Sequence, residues 1–105
     1  MKEDAMVTGV PWYVNDSKIG AALENLKAAS SDVSALDAKT KELIKFVVAS
    51  VLRCNHCTHS HLKKALAAGA TKNEITEALL IAATQTAATQ MNWNKEVFEK
   101  YLTEA

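Results

Sequence analysis

The chain has 105 residues, 49% of them hydrophobic, and its 12 lysines and arginines balance 12 aspartates and glutamates. That length fits one domain, spanning 1–105, with a modest core of the kind that often gains from self-association. The zero net charge, with acids and bases interspersed, argues against a nucleic-acid or anionic-membrane partner, and no apolar run suits a membrane span or a secretory signal. A cytoplasmic location is expected.

Segment 1–16 has no helical period and reads as an irregular arm, pinned to the body by Trp12 and Tyr13. Asp16 or Ser17 can cap a first helix, about 17–30, with Ile19, Leu23 and Leu26 along one side. SSDVSALD reads as a loop, and Asp37 as the N-cap of a second helix, about 38–52. That helix is apolar nearly all round and should be the buried central one. A third helix, about 55–68, closes at Gly69. Thr71 and Glu74 form a Thr-x-x-Glu capping box for a fourth, about 72–90. Its alanine-rich, largely apolar surface predicts a subunit interface. Asn94 should cap a last helix, about 95–104, with Val97, Phe98, Tyr101 and Leu102 on one face. The expectation is an all-α domain of about five helices. The recurrence of AATQ at 82–85 and 87–90 has a period of five, which matches no helical repeat.

Both cysteines and all three histidines fall between Cys54 and His61. At about 100° per residue, Cys57 and His61 lie roughly 60° and 20° from Cys54 on one helical face, whereas His56 and His59 point elsewhere. The cysteines stand in or beside the first turn, where unpaired N–H groups and the helix dipole favour a thiolate. Arg53 adds positive charge. If the chain reverses near residue 53, Glu42 and His61 come within roughly 5 Å of the same level. A carboxylate there would orient His61 and raise its basicity, making Glu42, His61 and Cys57 a proton path.

Glu42, eleven residues, Cys54-Asn55-His56-Cys57, three residues, His61: this pattern resembles the alkyl hydroperoxide reductase D (AhpD-like) group of the carboxymuconolactone decarboxylase superfamily. HLKKALAAGATKNEITEALLIAA resembles the core of that superfamily, so the likeness covers about residues 36–90. The resemblance implies an AhpD-like helical fold with a buried central helix hairpin, and a thiol-dependent peroxidase or disulfide reductase. It implies Cys57 as the peroxidatic thiol, Cys54 as the resolving one, Glu42 and His61 as the proton relay, and His56 as a further active-site residue. It also implies a hydroperoxide substrate, a dithiol electron donor, in some members a peroxiredoxin partner, and assembly as trimers or hexamers. The chain is shorter than the best-studied peroxidase members, so a second subunit is expected to complete the site.

Two other readings compete. Lactone decarboxylation, the superfamily's namesake chemistry, needs carboxylate clamps, for which Arg53 is the sole arginine. A zinc module would take Cys54, Cys57 and His61, only three ligands from one helix, with His56 or His59 poorly aimed as a fourth. The redox reading needs no cofactor. Met91, Trp93 and Phe98 read as core or interface, and no glycine-rich phosphate loop is present.

Overall fold

A computed structural model describes residues 12–14, 17–32 and 34–102. Among them are five helices and no strand: α1 Lys18–Ser31, α2 Ala38–Val51, α3 Asn55–Ala67, α4 Lys72–Trp93 and α5 Lys95–Leu102. The all-α expectation holds, with boundaries within three residues of those read from the sequence. Most of the expected arm 1–16 lies outside the described residues, as does Asp16. Two compact units divide the chain, Met1–Leu36 and Asp37–Ala105.

In the first unit, Ser17 caps α1, its Oγ accepting the Gly20 N–H at 2.8 Å. Gly20 is buried, and a Cβ there would run into the Tyr13 carbonyl oxygen. Glycine therefore lets the preceding turn close onto the helix. The Tyr13 hydroxyl donates to Glu24 Oε2 at 3.2 Å and accepts from Lys27 Nζ at 3.1 Å. Tyr13 thus ties the turn to α1 as expected. Trp12 does not pack inward: it is 79% exposed and meets Tyr13 edge-on.

The second unit is built on the α2–α3 hairpin with the start of α4 laid against it. Asp37 caps α2, its carboxylate accepting the Thr40 N–H at 2.8 Å. Phe46 of α2 is 4% exposed and packs with Ala65, Ala70 and Ile75, flanked by Leu43, Val47 and Leu62. Burying a side chain of that size stabilises by about 1.5–3 kcal/mol. Ala65 is fully buried, so a small residue sets how closely α3 approaches its neighbours. Only one side of α2 is buried in the single chain: Ile44, Val48 and Val51 remain nearly half exposed.

The capping box of α4 is complete. Thr71 Oγ1 accepts the Glu74 N–H at 3.1 Å, and Glu74 Oε1 accepts the Thr71 N–H at 2.9 Å. The other oxygen of Glu74 takes Lys39 Nζ at 2.9 Å, fastening the start of α4 to the start of α2. The bond to Lys39, then that to the Thr71 amide, holds the Glu74 carboxyl below its usual range.

One cap differs from expectation. Asn94 sits in the right-handed helical region, and its side-chain amide donates back to the Gln90 carbonyl at 2.7 Å. Its side chain therefore closes α4, and only its carbonyl, which accepts the Phe98 N–H at 3.0 Å, takes part in opening α5. The helical path is barely interrupted there, so Asn94 lacks the extended backbone that an N-cap side chain needs. No described helix is long and apolar enough to cross a membrane.

Candidate functional site

The site begins with how α2 ends. Arg53 N–H donates to the Ser50 carbonyl at 3.1 Å and Cys54 N–H to the Ala49 carbonyl at 3.0 Å. With Arg53 in the left-handed region (φ 61°), these bonds form a Schellman ending. α3 ends the same way: Gly69 N–H bonds the Leu66 carbonyl at 3.0 Å and Ala70 N–H the Ala65 carbonyl at 2.9 Å, with Gly69 at φ 96°. Glycine adopts that conformation freely, whereas a residue with a Cβ carries a penalty of roughly 1–2 kcal/mol. Part of that cost is offset by the guanidinium, whose Nη1 donates to the Ser50 carbonyl at 3.4 Å.

The left-handed turn delivers Cys54 directly to the N-cap of α3. Its backbone is extended and its sulfur accepts the Cys57 N–H at 3.2 Å. Cys54 and Cys57 are joined in a disulfide, their Cα atoms 5.3 Å apart. The Cys54 carbonyl accepts from both the Thr58 amide, at 2.9 Å, and the Thr58 hydroxyl, at 2.8 Å, anchoring the first turn. Both cysteines are half-buried, so the pair is reachable from solvent while its backbone is held.

His61 follows one turn after Cys57, and its Nδ1 lies 2.7 Å from Glu42 Oε1 on α2. Both side chains are largely buried, at 22% and 12% exposed. An ionised carboxylate only accepts, so Nδ1 must carry the hydrogen; a neutral ring then presents a lone pair on Nε2. Lys45, one turn along α2, stands 4.0 Å from the other oxygen of Glu42.

The hairpin thus brings together Cys54 with Cys57 and Glu42 with His61. His56 and His59 are exposed on α3, as helical angles require. Sequence reasoning missed three features. Cys54 is itself the cap, which its place just before the helical run could have signalled. Arg53 has left-handed geometry, for which no glycine gives warning. Lys45 approaches Glu42 at the i+3 spacing that marks helix neighbours. Among the described residues no three His, Cys, Asp or Glu side chains gather as a metal site.

Comparison with known proteins extends these observations. The family model described as "Carboxymuconolactone decarboxylase family" matches residues 18–100. An uncharacterised protein of the cox locus of Paracoccus denitrificans is 41% identical over 71 residues, covering 64% of each chain. An uncharacterised Haemophilus influenzae protein is 42% identical over 48 residues, covering 46% of this chain and 42% of its own. The chain therefore spans under two thirds of either relative. Among solved structures, a Methanobacterium thermoautotrophicum protein superposes with a TM-score of 0.70 at 31% identity, over 77% of this chain and 93% of its own. A Thermotoga maritima carboxymuconolactone decarboxylase family protein, for which involvement in the antioxidative response has been suggested, gives 0.60 at 32% identity over 80% and 94%. With a matched family model across most of its length and the fold shared with these structures, the chain belongs to the carboxymuconolactone decarboxylase family.

Proposed function

We propose that the chain is a dithiol oxidoreductase of the AhpD-like type that reduces hydroperoxides. The observation that carries this reading is the Cys54–Cys57 disulfide at the start of α3, one turn from a His61 held by Glu42 at 2.7 Å. The antioxidative role suggested for the Thermotoga maritima relative is consistent with it. A decarboxylase would leave the disulfide without a task.

In the proposed cycle, His61 Nε2 takes the Cys57 thiol proton and Glu42 holds the resulting imidazolium. The Cys57 thiolate attacks the terminal peroxide oxygen. The O–O bond breaks, the alkoxide leaves as alcohol with the proton from His61, and Cys57 becomes a sulfenic acid. Cys54 attacks that sulfur, water leaves, and the disulfide forms. One thiolate of a donor dithiol then attacks Cys57 and expels Cys54 as thiolate, whose charge the Cys57 amide stabilises. The donor's second thiol displaces Cys57, which leaves as thiolate, and the donor departs as its own disulfide. Two electrons pass from donor to peroxide per turn. His56, exposed on α3, is assigned an active-site role in this reading by the family resemblance alone. A peroxiredoxin partner and a cytoplasmic location fit the same reading.

The exposed apolar surface of α4 and α5 supports a homo-oligomer, trimer or hexamer, in which a second subunit completes the site. Leu80, Ile81, Trp93 and Phe98 are 57–83% exposed. The test is peroxide consumption by the reduced protein with dithiothreitol as donor. Wild type is expected to turn over and Cys57→Ser to be inactive. Full activity in Cys57→Ser, or no consumption by wild type, overturns the reading.

A further inference from the structure

The neutral total conceals a segregation of charge. Between Glu42 and Glu74 there is no Asp or Glu, while Lys45, Arg53, Lys63, Lys64 and Lys72 contribute +5; with totals of 12 and 12, the rest of the chain carries −5. The interspersion expected from the sequence therefore fails over the stretch that contains both cysteines. Within it, the chain's sole arginine occupies the residue before Cys54, at a left-handed position where the matching turn after α3 uses glycine. Arg53 is exposed, and a strained non-glycine conformation beside a reactive centre points to a use for the side chain. Capping Ser50 does not require it, because the backbone N–H of Arg53 already bonds that carbonyl.

We propose that Arg53 is a specificity-determining residue that favours small, carboxylate-bearing disulfides and dithiols as reaction partners of the Cys54–Cys57 pair. This rests on the reading that the pair cycles between dithiol and disulfide. A carboxylate near the reacting sulfur of the partner meets the guanidinium, and the net positive charge of the acid-free stretch 43–73 adds attraction at longer range. A dipolar or neutral partner gains nothing there.

The test compares two disulfide probes on the reduced full-length protein: dithiobis(nitrobenzoate), which carries two carboxylates, and uncharged dithiodipyridine. In either reaction one cysteine thiolate displaces an aryl thiolate to form a mixed disulfide. The other cysteine then displaces the second aryl thiolate and closes Cys54–Cys57; the protein loses two electrons and two thiol protons, and the probe gains the electrons. The readout is the ratio of the anionic to the neutral rate constant. Any change in thiol reactivity common to both probes cancels in that ratio. Arg53→Gly is expected to lower the ratio about threefold or more at low ionic strength, with the difference shrinking as salt screens it. Its melting temperature is expected to rise, since glycine fits the turn. Arg53→Lys should retain the ratio without the gain in stability. An unchanged ratio in Arg53→Gly, or Arg53→Lys behaving as Arg53→Gly, overturns the proposal even if peroxide turnover stands. A lowered ratio in a protein that fails to consume peroxide upholds it while the peroxidase reading falls. A reduced protein inert to both probes overturns both.

Discussion

The α2–α3 hairpin and the α4–α5 stretch solve opposite problems. The hairpin buries what it can within one chain: Phe46 is 4% exposed and Ala65 fully buried. Along α4 and α5 the apolar residues face outward, with Met91 at 71%, Trp93 at 83% and Phe98 at 57%. Only Ile75, at the capped end of α4, joins the core. An apolar surface of that extent in a small domain is what the homo-oligomer proposed above would cover. The difference teaches that Glu42, His61 and the cysteine pair are positioned by intrachain packing, while α4 and α5 leave most of their apolar side chains uncovered in the single chain.

Paired substitutions offer the strongest way to break this contrast. Phe46→Ala is expected to destabilise the chain by about 3–5 kcal/mol, at any protein concentration, because it empties a filled core position. Phe98→Ser should instead lower the assembly mass seen by light scattering, with a stability loss that depends on protein concentration. Equal, concentration-independent losses in chemical denaturation would erase the distinction.

A smaller effect probes whether the hairpin does more than hold the residues. Glu42→Gln keeps the shape and a hydrogen-bonding group beside His61 but removes the charge. We expect peroxide turnover to fall by about tenfold or more, on the order of a weakened general base, with helix content retained. Unimpaired steady-state turnover would remove Glu42 from the proton path.

The smallest effect lies where the two regions meet. Glu74 is held below its usual carboxylate range by Lys39 and the Thr71 amide. Its folded pKa is thus depressed below the reference 4.5. The contribution to stability is full above the unfolded value and is lost as pH falls through the folded one. The stability difference between wild type and Glu74→Gln should therefore be constant at neutral pH and shrink only under acid conditions. A difference that persists at the acid end would assign the effect to shape rather than charge.

Much of this architecture was legible in the sequence because local chemistry announces it. Ser17, Asp37 and the Thr71–Glu74 box start three helices, and Gly69 ends one. The Glu42–His61 meeting was legible because helical rise converts residue counts into height once a reversal is assumed. What stayed hidden depends on backbone state rather than residue type. Arg53 carries no mark of a left-handed conformation, and Asn94 has a capping side chain but the wrong backbone angles to open a helix. The exposure of Trp12 was equally invisible, since an aromatic residue in a non-periodic segment serves packing or surface alike.

The Schellman ending at Arg53 also acts as a ruler. Glu42 lies eleven residues before it and His61 eight after it, so their 2.7 Å meeting depends on a whole-number count along two rods. A single residue inserted between Arg53 and His61 would turn the ring by about 100° and shift it by about 1.5 Å. Drift in the length of this reversal is therefore closed to the chain as long as the pair is needed, whereas the loop before Asp37 carries no such arithmetic.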